Sequence, residues 1–321
     1  MKAAVYDRNG GPEVLRFDDV ADPVVRPGGL VVEVRAIGLQ GGDLINRRSG
    51  ALLTQPHVVG YQASGVVRDV GPDVDGFRPG QRVATVMMHG SHAELASVAA
   101  RKAWPIPDEL SFEHAAAVPI EFGTASDCLF EFGRLRPGET VLVRGGAGGV
   151  GIAAVQLAKA AGATVIATTR GDDRLARLAS LGADHTVDDT GDVAGDVARL
   201  TDARGADLVV DPVGGRVLES SIAALAYRGR ISWVGNAAAH TAPPDLWPLM
   251  EKNGQVNVLF FAMEQSRQPE RTYRLIEDLL TRVASGELTA VIDRSFPLSD
   301  AAAAHRYAED HPTVGRVVLI P

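Results

Sequence analysis

Residues 1 to about 120 place apolar and polar positions in short Val-rich runs with partial alternation: KAAVYD, VLRFDDV, LVVEVRAIG, SGVVRDVG and RVATV. A two-residue period marks strands with one face on a core. Turn signals separate the runs, at Asn9-Gly10-Gly11, Arg26-Pro27-Gly28-Gly29, Val70-Gly71-Pro72-Asp73 and Arg78-Pro79-Gly80. Such spacing predicts a compact antiparallel sheet or barrel. From Ser111 the texture turns helical, in SFEHAAAVPIEFGTASDCLFEF, with an interruption around Pro119 and Ser111 as a cap.

From Thr140 the pattern changes again. TVLVR reads as a strand, GIAAVQLAKAAGA as a helix closed by Gly162, TVIATT as a strand, and DDRLARLASLGA as a helix closed by Gly182. Further strands are expected at DLVVD, RISWVG and VNVLFF. Strands alternating with helices predict a parallel sheet covered on its faces. After Phe261 come a long amphipathic helix (PERTYRLIEDLLTRVASG), a strand (IDRSFPL), a short helix (SDAAAAHRYAED) and a last strand (GRVVLIP). The fold class is α/β: a β-rich domain and a doubly wound parallel-sheet domain.

The chain's 321 residues suffice for two domains, each with its own core. With 45% apolar and 22% charged residues it reads as soluble and globular. A net charge of −8 argues against a broad nucleic-acid-binding face. The one cysteine, Cys128, can form neither an intrachain disulfide nor a thiolate metal cluster, and its apolar setting predicts a buried thiol. No run approaches the roughly 18 apolar residues of a membrane span. MKAAVYDRNG puts charges too early for a signal peptide, so a cytoplasmic location is the default expectation.

The candidate chemistry begins at VRGGAGGVGIAAVQLA. Here Gly146-x-Gly148-x-x-Gly151, with Ala147, Gly149 and Val150 between, follows a strand and opens a helix. The first glycine is expected to permit the turn, and the second to let a pyrophosphate approach the backbone. The third lets helix and strand pack closely. About 20 residues on, where an NAD-binding protein places an acid against the ribose, stand Thr168, Thr169 and Arg170, with Arg174 one helical turn later. A guanidinium suits a 2′-phosphate, so the cofactor is expected to be NADP(H). Asp172, Asp173, Asp188 and Asp189 work against that charge, and a solvent-facing arginine is the alternative reading. His89 and His92 are three apart, with no third ligand nearby in sequence, and read as packing or solvent-facing residues.

Taken together, GYQASGVVRDVG, GFRPGQRV, AAAVPIEFGTA, LRPGETVLVRGGAGGVGIAAVQLAKAAGATVIAT, DLVVDPVGG and GRVVLIP resemble the medium-chain dehydrogenase/reductase superfamily, in its zinc-free quinone oxidoreductase (zeta-crystallin-like) branch. The likeness runs essentially end to end. It implies a GroES-like domain of residues 1–121 and 263–321 and a Rossmann domain of residues 122–262, with the active site in the cleft between them. It also implies a homodimer or homotetramer joined through the Rossmann sheet edge, here VNVLFF. By the same resemblance Thr124 lies near the nicotinamide, Val213 and Asn236 line the adenosine and ribose channel, and Arg174 and Arg316 stand near the 2′-phosphate. Where relatives often carry a tyrosine in that pocket, this chain has Asp189. Zinc-binding members carry a Cys and a Gly-His-Glu where this chain has Gln40 and Gly60-Tyr61-Gln62, so no metal is expected. Relatives commonly show Asn-x-x-Asp followed by tyrosine on the substrate side. Here the pair is Gln40 and Asp43, and LINRRSGALLTQP contains no tyrosine. Asp43 is open to a purely structural reading.

The resulting expectation is a zinc-independent NADPH-dependent reductase acting on a quinone or a small α,β-unsaturated carbonyl, with Gln40 and Asp43 as catalytic candidates. No nucleic-acid or membrane partner is expected. Two other readings stand beside it: an enoyl-thioester reductase of a biosynthetic pathway, and an NADP(H)-binding sensor or structural protein with little catalysis.

Overall fold

The structure is a computed structural model and describes residues 1–237 and 242–321. The chain builds two units, Met1–Ile120 with Gln268–Pro321, and Glu121–Arg267.

In the first unit the Val-rich runs become β1 (Lys2–Tyr6), β2 (Arg16–Asp19) and β3 (Gly29–Gly38). Helix α1 (Gly41–Ser49) follows, then β4 (His57–Val58), β5 (Gln62–Val70), β6 (Arg82–Val86), β7 (Leu95–Ala99), β8 (Ala103–Pro105) and α2 (Phe112–Ala115), capped by Ser111. β3 is the centre. It is buried along most of its length and pairs antiparallel with β5 and β7. Leu30, Val32, Val34, Ile37, Val67 and Val83 pack into one core from these strands. α1 is not expected from its sequence. GGDLINRRS holds two glycines and three charges, and no apolar stripe announces it. It is helical because Asp43 and Arg47 are anchored below it, both with no exposure.

The second unit starts with α3 (Pro119–Ser126) and one π turn at Asp127–Glu131. Then come β9 (Thr140–Val143), α4 (Gly149–Ala160), β10 (Thr164–Thr169), α5 (Asp172–Ser180), β11 (His185–Asp188) and α6 (Val193–Leu200). The unit continues through β12 (Ala206–Asp211), α7 (Arg216–Ala223), β13 (Leu225–Trp233), α8 (Leu249–Lys252), β14 (Gln255–Val258) and α9 (Phe261–Arg267). Its six strands are all parallel, in the order β11-β10-β9-β12-β13-β14. That is the doubly wound order in which strand succession reverses between the first and fourth strands, leaving a crevice at their carboxyl ends. β11, with the polar sequence HTVD, carries no clear sequence signal. VNVLFF is shorter as a strand than its apolar run, because the chain leaves the sheet after Val258 and Phe261 opens α9. Cys128 is buried, and burial pushes its thiol pKa up.

The last segment returns to the first unit with α10 (Pro269–Ala284), β15 (Ile292–Pro297), α11 (Ala301–Asp310) and β16 (Arg316–Ile320). β16 pairs antiparallel with β3 and parallel with β15, completing a seven-stranded sheet, while β2-β1-β4 form a small separate one. The Trp104 indole donates to the Tyr273 carbonyl at 3.0 Å and the two rings stack, which ties α10 to β8.

Candidate active site

The glycine loop sits at the crevice of the parallel sheet, between β9 and α4. Its three motif glycines answer to different constraints. A Cβ on Gly151 would lie 2.4 Å from the Gly145 oxygen and 2.6 Å from the Gly146 Cα, so the third glycine is demanded by the fold. On Gly146 it would meet Leu178 at 2.8 Å and the Thr168 oxygen at 3.2 Å. The turn itself belongs to Gly145, whose φ of +57° lies in the left-handed region. That is one residue earlier than the motif suggests. Gly148 is different. A Cβ there would touch only the Gly145 oxygen, at an ordinary 3.4 Å. No neighbouring atom forbids a side chain at 148, whereas an anion drawn to the start of α4 would. The loop therefore fits a pyrophosphate. Gly149 and Val150 open α4, and Ala147 is buried beside them.

At the next strand end, Thr168 and Thr169 are buried and Arg170 is exposed. Arg174, on the first turn of α5, is partly buried, and burial together with the nearby Arg170 charge lowers its pKa. Two guanidiniums thus feel each other at one strand end, a placement that suits an anion. Asp188 accepts from the Thr190 N–H and hydroxyl at 2.8 and 2.7 Å, and these bonds keep its carboxyl pKa low. Asp189 pairs with Arg144, whose Nη2 donates to its Oδ1 at 2.6 Å. Sequence reading assigned Arg144 no role. It stands in VLVRGG as the residue after a strand, and only the fold puts it beside Asp189.

At the ends of β12 and β13, Asp211 is wholly buried, and its Oδ1 accepts the N–H groups of Val213 and Gly214, both at 2.9 Å. This turn sets Val213 against the glycine loop: a Cβ on Gly145 would lie 3.0 Å from its Cγ2. A Cβ on Gly214 would lie 3.2 Å from the Asn236 Oδ1. The structure thus gathers the glycine loop, Val213 and Asn236 at the carboxyl ends of β9, β12 and β13. Thr124 lies on α3 and is buried.

The first unit holds the remaining candidates. Gln40 is 2% exposed and caps α1, where the Asp43 Oδ2 accepts the Gln40 N–H at 2.9 Å. That bond gives Asp43 a structural task. Tyr61 packs onto the same helix, since a Cβ on Gly42 would fall 2.6 Å from its hydroxyl. This brings to the start of α1 a phenol that the stretch following Asp43 lacks. The Gln62 side chain is committed to backbone: its Nε2 donates to the Ala116 carbonyl, and its Oε1 accepts the Ile120 N–H at 2.7 Å. Among the described residues no cluster of three or more His, Cys, Asp or Glu could hold a metal ion. His92 is buried on His305, and His89 stacks obliquely near His57. Arg316 lies in this unit on β16, its Nη1 3.4 Å from the Leu39 carbonyl.

Comparison with known proteins agrees with this architecture. Residues 26–108 match the alcohol dehydrogenase GroES-like domain family, and residues 149–279 match the zinc-binding dehydrogenase family. A quinone oxidoreductase of Pseudomonas aeruginosa is 33% identical over 316 residues, covering 97% of each chain. A 2-haloacrylate reductase of a Burkholderia species is 30% identical over 333 residues, covering 100% of this chain and 99% of the other. The crystal structure of the Escherichia coli quinone oxidoreductase complexed with NADPH superposes with a TM-score of 0.93 at 28% identity, covering 100% of both chains. The chain belongs to the medium-chain dehydrogenase/reductase superfamily, in its zeta-crystallin-like quinone oxidoreductase branch.

Proposed function

We propose that this protein is an NADPH-dependent oxidoreductase that works without zinc and reduces a quinone or a small α,β-unsaturated carbonyl compound. The observation that carries the reading is Gly148, a position open to a side chain as far as the fold is concerned and kept bare at the start of α4. Its relation to NADPH is supported by the Escherichia coli neighbour, which is complexed with that nucleotide. NADPH supplies the hydride when bound.

The chain's own groups do the rest. The N–H groups at the start of α4 draw the pyrophosphate, and Arg170 and Arg174 face the 2′-phosphate. Thr124 holds the nicotinamide end, Val213 and Asn236 line the adenosine side, and Arg316 supplies further charge. The Gln40 amide donates to the acceptor's carbonyl oxygen and steadies the negative charge that develops there. Asp43 holds Gln40 in place through the cap. Zinc independence rests on Gln40, Tyr61 and Gln62, which offer no thiolate, imidazole or carboxylate.

A quinone suits this site because its reduced anion is a weak base that water protonates. An enone leaves a strongly basic enolate and needs a positioned acid. The Burkholderia relative, named for an acrylate substrate, favours the second case, with Tyr61 as the proton source. Steady-state NADPH oxidation with a small quinone and a size-matched unsaturated ketone tests the reading. Acceptor-dependent oxidation supports an enzyme. Cofactor binding without oxidation of any acceptor overturns it in favour of a sensor.

A further inference from the structure

Asp189 is an acid in a place where an acid should oppose the proposed cofactor. Its N–H donates to the Thr169 carbonyl at 3.0 Å, so it stands at the strand end that leads into Arg170. A carboxylate free at this end accepts ribose hydroxyls and repels a 2′-phosphate. Here it is not free. Arg144 follows β9 directly, and its side chain is only 2% exposed. Its Nη2 lies 2.6 Å from the Asp189 Oδ1, and its Nη1 lies 3.2 Å from the Ser220 hydroxyl and 3.5 Å from that of Ser221. Ser221 in turn donates to the Asp211 Oδ2 at 2.9 Å, the carboxylate that shapes the Val213 turn. The guanidinium is thereby fixed between α7 and the end of β11.

We propose that Arg144 is a positioning residue for cofactor selectivity: by holding the Asp189 carboxylate in a partly buried ion pair, it keeps that charge from the 2′-phosphate of NADPH. The inference rests on the NADPH reading above and adds to it a residue that never touches the nucleotide. NADH lacks only the phosphate, so the ratio of the two affinities isolates the effect from any general loss of structure.

Calorimetric titration of NADPH and NADH into the full-length protein tests it. In Arg144→Met, NADPH affinity falls about tenfold or more, as expected for a carboxylate released toward a phosphate, while NADH affinity stays within about twofold. Arg144→Lys, which keeps the charge, retains most of the preference. Adding Asp189→Asn to Arg144→Met restores it. If Arg144→Met does not fold, Arg144→Gln, which removes the charge but keeps a side chain able to hydrogen-bond to Ser220 and Asp189, carries the test with the same expected fall in preference. Equal weakening of both nucleotides or an unmoved ratio in a folded variant that lacks the Arg144 charge, or failure of Asp189→Asn to restore the preference in that background, overturns the inference. If the natural chain binds NADPH and only the ratio fails to move, the cofactor reading survives. If it binds neither nucleotide, both fall.

Discussion

Arg47 Nη1, on α1, lies 2.9 Å from the Nδ1 of His305 on α11, with both side chains fully buried. A guanidinium only donates, so His305 Nδ1 accepts and its proton sits on Nε2. That Nε2 faces the Nε2 of His92 at 3.1 Å, which must accept in turn. Glu309 balances the Arg47 charge at 2.5 Å, and Arg48 reaches the same carboxylate at 3.2 Å. A chain of single-tautomer contacts thus locks the helix that carries Gln40 and Asp43 onto the last helix of the protein.

Stability should fall on mild acidification because of this pair. Burial pushes the His92 pKa down to about 3. Burial, and then the neighbouring His92 and Arg47, push His305 well below its ordinary value. Both rings stay neutral in the folded state and take up protons when unfolded, near pH 6.5. Their contribution is complete above about pH 6.5 and is lost progressively as the pH drops toward the folded value, by about 1.4 kcal/mol per pH unit for each ring. Urea unfolding from pH 7.5 to pH 4.5 measures the slope. His92→Gln should flatten it, and an unchanged slope would show that carboxylates elsewhere account for the loss.

The two outer glycines of the cofactor loop should respond oppositely to the central one. Gly148→Val is expected to leave a folded protein with thermal stability near that of the natural chain and with NADPH binding abolished. Gly151→Ala is expected to lower the melting temperature whether or not nucleotide is present, because its Cβ collides with backbone at 2.4 Å. Thermal melts paired with titration separate the two. A Gly148→Val variant that binds NADPH normally would remove the loop from the cofactor site.

Among substrate-side substitutions, Gln40→Ala should reduce kcat/KM for a quinone more than Asp43→Asn does, by about 100- to 1,000-fold, the range of a lost hydrogen-bond donor to developing charge. Asp43→Asn mainly weakens the cap of α1, at about 1 kcal/mol of stability. Tyr61→Phe should spare quinone reduction and slow an enone. Equal losses on both acceptors would remove Tyr61 as the proton source.

The free edge of the parallel sheet should join two copies of this chain. Among the described residues β14 is the last strand of its sheet, and Val258 and Phe260 beside it are each 70% exposed, with Trp247 at 72%. An unpaired edge flanked by large apolar side chains is a pairing surface. Sedimentation velocity should report a dimer or tetramer at micromolar concentration. Val258→Glu with Phe260→Glu should shift it to a monomer that stays folded. A natural chain that sediments as a monomer would refute this.

What could be read in the sequence shares one physical basis. The alternation of TVLVR, GIAAVQLAKAAGA and TVIATT, the bare glycines before a helix, and the arginine after TVIATT are signals carried within a few tens of residues. Backbone periodicity and side-chain size express themselves at that range, so the doubly wound sheet and its glycine loop were legible. α1 was not, because its helicity comes from Asp43 and Arg47 being anchored rather than from GGDLINRRS itself. Nor was β11, whose polar HTVD folds by joining a sheet already present. The contacts that govern charge were the least legible. Arg144 meets Asp189 across 45 residues, and Arg47 meets His305 across 258. Along the chain each of these is one ionisable residue among many. Only burial, which makes an unpaired charge costly and so forces a partner on it, decides which pairs form and therefore where charge is left free to meet a ligand.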